Sequence, residues 1–300
     1  MRNHCGPVMD RINGYDVIDC GPCGFRHISP FPDNDALTSI YRDEYYSKEK
    51  PLYLERHLED LEWWDTVYAA RYREFERLLP GKGRSVLDIG SGPGYFLLYG
   101  KRHGWETLGV EPSVKAAAHG RSLGLEIIED FFSHDLARAL DRSFDVVHMS
   151  EVLEHITDPE GVLITASRAL KPGGLVCVVV PNDYNPFQQA LRKACGYSPW
   201  WVSPPHHVNY FNPVSVSGLL TRTGFETVSI EATFPIDIFL LMGDEYVGND
   251  ALGRACHAKR KRFEKNLAAA GQDGLLRNIY KDLARHGVGR EVQAIGRKKE

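Results

Sequence analysis

Residues 85–111, SVLDIGSGPGYFLLYGKRHGWETLGVE, restrict the fold more than any other stretch. Val86-Leu87-Asp88-Ile89 is a short, mostly apolar run suited to a buried strand. Gly90, Gly92 and Gly94 follow at alternate positions, where the missing Cβ lets the backbone turn sharply and approach a ligand. Tyr95 to His103 has helical spacing, and Gly104 suits a helix C-cap. Thr107-Leu108-Gly109-Val110 predicts a second strand ending at Glu111. Strand, glycine turn, helix, strand and acid form half of a nucleotide-binding α/β sheet. A dinucleotide diphosphate does not suit this one. The turn is G-x-G-x-G rather than G-x-G-x-x-G, no basic residue lies in it, and Asp88 would repel a phosphate. A cationic ligand suits it better.

S-adenosylmethionine is such a ligand, with an ammonium, a sulfonium, a ribose diol and no phosphate. The stretch closely resembles motif I of the class I S-adenosylmethionine-dependent methyltransferases. That resemblance implies an α/β Rossmann-like sheet, mostly parallel with its last strand antiparallel. It also implies a cofactor site built on Asp88, Gly90, Gly92, Gly94 and Glu111, with Glu111 as the ribose-binding acid. It extends over most of 80–231. Leu125–Ile128 reads as strand three, and the resemblance gives Asp130 to the adenine amino group and Phe131 to the face of the ring. Phe144–Met149 is strand four. The segment after it, Ser150-Glu151-Val-Leu-Glu-His155, matches the lining of the methyl-transfer cleft, so Ser150 and Glu151 join the cofactor set. His148 fits the core or the cleft wall, and His155 a packed position beneath the cofactor. Asp158-Pro159 caps a helix running to Leu170, Lys171–Gly174 is a turn, and Leu175–Val180 is strand five. Asn212-Pro213 caps another helix, and Phe225–Glu231 is strand six. Glu291–Gly296 is expected to slot antiparallel between strands five and six.

Around this domain, residues 34–80 form a helical, aromatic-rich cap, and residues 181–212 and 232–288 are insertions into the domain spanning 81–300. The cap's aromatic residues read as packing on the sheet, with Tyr45 and Tyr46 as candidates for an acceptor-pocket wall. The run Lys259-Arg-Lys-Arg262 reads as a solvated helix face, or as a contact for an acidic acceptor. Residues 1–33 hold Cys5 and the knuckle Cys20-Gly-Pro-Cys23, half of the 6 cysteines. They resemble the zinc ribbon that precedes many sugar-modifying methyltransferases, but the first knuckle keeps only Cys5. The candidate metal ligands are therefore Cys5, Cys20 and Cys23. A fourth would have to come from His4 or His27, or the segment is a small metal-free hairpin.

Net charge is −4, which gives no footprint for nucleic acid, and no apolar stretch is long enough for a membrane span. Scattered cysteines and an N-terminus without a signal-like apolar run point to the cytoplasm. The second insertion suits an active-site cover or a homo-oligomer contact.

Methyl transfer needs the acceptor held in line with the donor, and a base if the nucleophile is a hydroxyl. The stretch Ser203-Pro-Pro-His206-His207-Val-Asn-Tyr210-Phe resembles the E-H-x-x-Y-F-S stretch of deoxysugar C-methyltransferases. His207 matches the histidine and Tyr210 the tyrosine, while His206 replaces the glutamate. The catalytic candidates are thus His207 as base, with Tyr210 and His206 beside it. These features point to O-methylation of a sugar or glycan. A second reading, which the aromatic cap would suit, is a phenolic or quinone-like acceptor. A non-catalytic S-adenosylmethionine-binding protein and a dehydrogenase are the other classes; the intact acids and glycines disfavour the first, and the turn disfavours the second.

Overall fold

The computed structural model describes residues 4–39, 41–42, 53–79, 81 and 83–299. Three strands come first: β1 Val8–Ile12, β2 Tyr15–Cys20 and β3 Phe25–Ser29. Helices α1 Asn34–Ser39, α2 Tyr53–Glu59 and α3 Leu61–Leu78 follow. Strand and helix then alternate through β4 Ser85–Ile89, α4 Tyr95–Arg102, β5 Glu106–Val110, α5 Val114–Ser122, β6 Ile127–Ile128, α6 His134–Ala139, β7 Phe144–Ser150, α7 Pro159–Ala169 and β8 Leu170–Pro181. The remainder holds α8 Pro186–Cys195, β9 Asn209–Tyr210, α9 Pro213–Arg222, β10 Phe225–Ala232, α10 Ile238–Leu241, α11 Asp250–Ala269, α12 Asp273–Arg285 and β11 Glu291–Lys298.

Seven strands form one sheet in the order β10-β11-β8-β7-β4-β5-β6. Neighbours from β6 to β8 run parallel, and β11 is antiparallel to both β8 and β10, as expected. Parallel strands covered on both faces need apolar residues at every position, which explains the unbroken run in β8. Leu175, Cys177 and Val179 face one core with Phe75, Phe96 and Leu97, whereas Val176, Val178 and Val180 face the other with Leu163 and Leu219. Asp158 and Asn212 cap their helices as the sequence suggests, accepting from Gly161 and Ser215 backbone N–H groups.

Three further features position the site. The Lys171–Gly174 turn lies inside β8, where the pairing jumps from Phe144 opposite Leu170 to Val146 opposite Leu175. The turn is thus extruded as a bulge. The N-terminal strands do not stand apart from the catalytic domain. β3 pairs with β9 from the first insertion, and Cys20, Cys23 and Phe25 are buried in the same core as Phe211 and Leu219. Finally, three of the four basic residues of the run on α11 make structural pairs, while Arg262 is exposed as a solvated face would have it. Lys259 pairs with Asp244, and Lys261 with Asp60 before α3; Arg260 lies 4.9 Å over the Trp63 ring and pairs with Glu264. Among the described residues no helix is long and apolar enough to cross a membrane.

Candidate active site

The glycine turn at the carboxyl end of β4 requires its glycines. Gly90 has φ +69°, and a Cβ there would lie 2.6 Å from Val152 Cγ2; Gly94 has φ +86°, and its Cβ would lie 2.6 Å from Leu125 Cδ1. Either change would strain the backbone and displace a neighbour. The turn is tied to the next strand by Glu111, whose carboxylate accepts from Gly92 N–H at 2.7 Å and Ser113 N–H at 2.9 Å. Burial pushes the Glu111 carboxyl up to about 7, against the pull of those two N–H groups. A carboxylate has about four acceptor positions, so two remain for a ligand.

Asp88 is 3% exposed and receives His148 Nδ1 at 2.6 Å. Arg71 from α3 approaches the other ring nitrogen, Nε2, at 2.8 Å. A guanidinium can only donate, so Nε2 accepts and the ring proton sits on Nδ1, donating to Asp88. Burial also lowers the His148 pKa, in keeping with a neutral ring, although Asp88 opposes that shift. Gln293 of β11 accepts from Arg71 Nε at 2.8 Å, and Phe96 stacks on His148 at 3.9 Å. Sequence reading placed His148 at the wall but missed Arg71. Its signal was a basic residue on the buried face of an aromatic helix.

These groups border a cavity of about 360 Å³ at the carboxyl edge of β4, β5 and β7. Asp88, Glu111 and Glu151 contribute its acids, and among the described residues Arg71 is the single lysine or arginine on its wall. Three acids and one guanidinium fit a ligand bearing an ammonium, a sulfonium, a diol and one carboxylate, and repel a diphosphate. Glu151 has φ +54°, a left-handed conformation that a non-glycine residue adopts at a cost of order 1–3 kcal/mol. Tyr53, His57, Trp64, Tyr68 and Tyr95 supply an aromatic side to the same cavity. His57 stacks between Trp64 at 5.0 Å and Tyr95 at 4.4 Å, and burial drives its pKa down to about 4.

The other expected site residues are distributed unevenly. Gly90, Gly92, Phe131, Ser150 and Glu151 border the cavity, and Gly94 caps α4 behind it. Asp130 does not border it; its exposed carboxylate accepts from Phe131 N–H at 2.8 Å. Tyr210 is a correction: it is 2% exposed in the core with Val17, Ile28 and Val208, and its hydroxyl donates to the His207 carbonyl at 3.1 Å. Tyr210 packs in that core through the pairing of β9 with β3 and does not border the cavity. His155 borders the cavity, whereas His207 lies behind it with ring centroids 5.1 Å apart. The His206 carbonyl takes His155 Nδ1 at 2.8 Å and the Tyr41 hydroxyl at 2.8 Å. Tyr45 and Tyr46 lie outside the described residues.

Among the described residues, two groups have ligand atoms close enough for a metal. Glu154, His155 and His207 form one; His4, Cys20, Cys23 and His27 form the other. Cys5 is exposed and belongs to neither, which corrects the expected ligand set.

A family model described as a methyltransferase domain matches residues 62–230. The chain is a class I S-adenosylmethionine-dependent methyltransferase. Among similar proteins, a ubiquinone biosynthesis O-methyltransferase of Roseobacter denitrificans is 30% identical over 204 residues, 65% of this chain and 80% of that protein. One of the same name from Cereibacter sphaeroides is 32% identical over 163 residues, 52% of this methyltransferase and 66% of its relative. Solved structures share the fold at low identity. The plantazolicin methyltransferase BamL, in complex with a triazolic desmethylPZN analog and SAH, aligns with TM-score 0.55 and 13% identity over 88% of this chain and 94% of its own. A methyltransferase in complex with the Haloferax volcanii Trm112 activator aligns with TM-score 0.53 and 18% identity, over 87% and 98%.

Proposed function

We propose that this methyltransferase O-methylates a phenolic or quinol-type small molecule. The observation that carries the reading is the aromatic side of the cavity, where Tyr53, Trp64, Tyr68 and Tyr95 line the wall beside the stacked ring of His57, a surrounding that suits a flat acceptor. The relatives named for ubiquinone biosynthesis support the same choice over a glycan. The sugar reading also loses Tyr210, which is buried away from the cavity.

In this reading Glu111 accepts from the ribose hydroxyls, Asp88 and the glycine turn hold the amino acid end, and Arg71 offers its guanidinium to the carboxylate. Phe131 lies against the adenine. Bound S-adenosylmethionine supplies a methyl group already activated by its sulfonium. The aromatic wall orients the acceptor and excludes water. His155 is the base. Its Nδ1–H donates to the His206 carbonyl, and its Nε2 would take the proton of the acceptor hydroxyl. Buried Glu154, with Oε1 3.8 Å from Nε2, stabilises the resulting imidazolium. His207 supports the ring of His155 from behind.

The test is a methylation screen with catechols, hydroquinones, nucleotide sugars and reducing-end glycans, read by product mass. The expected product carries one added methyl on a phenolic oxygen. Methylation of the sugars with no turnover of any phenol overturns the reading.

A further inference from the structure

We propose that His4, Cys20, Cys23 and His27 bind a structural zinc ion that pins the start of the chain to the knuckle between β2 and β3. One potential ligand atom from each lies within 4.8 Å of the others. His4 Nδ1 lies 3.3 Å from Cys23 Sγ and 3.1 Å from His27 Nε2. Zinc bonds of about 2.3 Å to sulfur and 2.0–2.1 Å to nitrogen at tetrahedral angles separate ligand atoms by roughly 3.3–3.8 Å. The two His4 spacings need only a few tenths of an ångström of adjustment. Two thiolates and two imidazoles at such spacing match the ligand set that selects zinc.

The surroundings prepare the ligands. Cys20 and Cys23 stand on a tight knuckle closed by Gly24 N–H donating to the Cys20 carbonyl at 2.8 Å, with Gly24 at φ +70°. Both sulfur-bearing residues and His27 are buried, at 1%, 4% and 0% exposure. His27 Nδ1 lies 2.9 Å from the Ile28 carbonyl, which can only accept, so the proton is on Nδ1 and the Nε2 lone pair faces His4 and Cys23. Such a backbone partner is what orients a metal-bound imidazole. His4, rather than Cys5, meets the knuckle because the chain at Gly6 is pressed onto β2. A Cβ at Gly6 would lie 1.9 Å from the Asp19 carbonyl oxygen, and the Cys5 carbonyl is held by Gly21 N–H.

The site sits at a junction. Arg222 of α9 donates to the Cys23 carbonyl at 2.6 Å and pairs with Glu160 of α7. His27 lies opposite Asn209 of β9, and Asn209 Nδ2 donates to the Leu153 and Ile156 carbonyls that flank His155. The site therefore lies at one end of a short path of hydrogen bonds whose other end is the cavity edge.

Metal analysis of the full chain purified without chelators tests this. The wild type and Cys5→Ser should carry about one zinc per chain, and Cys23→Ser and His27→Ala less than about a tenth. Cobalt exchanged into the wild type should give the intense visible bands of a tetrahedral site and near-ultraviolet charge transfer from two thiolates. That second readout decides the matter if the cysteine variants do not fold. Wild type that holds no zinc and shows no thiolate charge transfer with cobalt overturns the proposal. So does loss of the metal in Cys5→Ser, or its retention in both Cys23→Ser and His27→Ala.

Discussion

His148 Nδ1 donates to Asp88 at 2.6 Å while Arg71 donates to the opposite ring nitrogen, so one buried imidazole joins the acid of the β4 motif to a cation from the helical cap. The cap and the sheet are thereby linked at the floor of the cofactor cavity. Removing the ring leaves two charged groups without their shared partner. His148→Phe preserves the stack on Phe96 but should lower folding stability by roughly 1.5–3 kcal/mol, the value of hydrogen bonds to charged groups. Denaturant unfolding with and without the cofactor product measures this. Unchanged stability would mean that the two charges find partners elsewhere.

Glu111 gives the cofactor site a pH dependence. Its folded carboxyl titrates at about 7 against an ordinary 4.5, so the folded protein holds a proton that the unfolded chain has lost in between. This group's contribution to stability is present below that window and falls as pH rises through it. Hydroxyls donating to the carboxylate favour its ionised form. Binding of S-adenosylhomocysteine at pH 6 should therefore release a proton and tighten as pH approaches 7. Calorimetry in two buffers of different ionisation enthalpy reads the release, and Glu111→Gln should abolish it. Buffer-independent heats in the wild type would remove Glu111 from the ribose contact.

The base assignment separates two neighbouring histidines. His155→Ala should reduce turnover by ~10²–10⁴-fold, the range expected for general base catalysis, with cofactor affinity little changed. His207→Ala should cost less, because that ring acts through His155. Single-turnover rates at saturating cofactor distinguish them. Loss confined to His207→Ala would return the role to the residue that the sequence pattern singles out.

Glu74 ties α3 to the second insertion. It is 1% exposed, and burial would raise its pKa, yet hydrogen bonds from Arg77 and Arg277 hold it down to about 2. Arg277 also pairs with Glu231 of β10. Arg277→Met should destabilise the protein by roughly 1.5–3 kcal/mol at neutral pH. A depressed carboxylate contributes stability above its unfolded pKa and loses it as pH falls through the folded one. The difference between wild type and variant should accordingly shrink between about pH 4.5 and 2. A constant difference across acid pH would show that the loss is one of packing alone.

The apolar runs, glycines and caps were enough to read the strands of the sheet and the acids Asp88 and Glu111, because those signals are local and periodic, whereas the antiparallel place of the last strand came from the family resemblance. Asp158 and Asn212 announce their helices in the same way. Other features depend on which distant segments meet. Arg71 is an ordinary helical arginine until α3 lies over β7 and finds His148. Tyr210 and His207 look alike in a polar loop, and only the pairing of β9 with β3 turns one into the core. Cys5 and His4 are adjacent in the chain, yet the contact of Gly6 with β2 brings His4 to the knuckle and leaves Cys5 exposed. Long-range packing selects among such equivalent side chains, since burial and hydrogen bonding are settled by neighbours that no local pattern names.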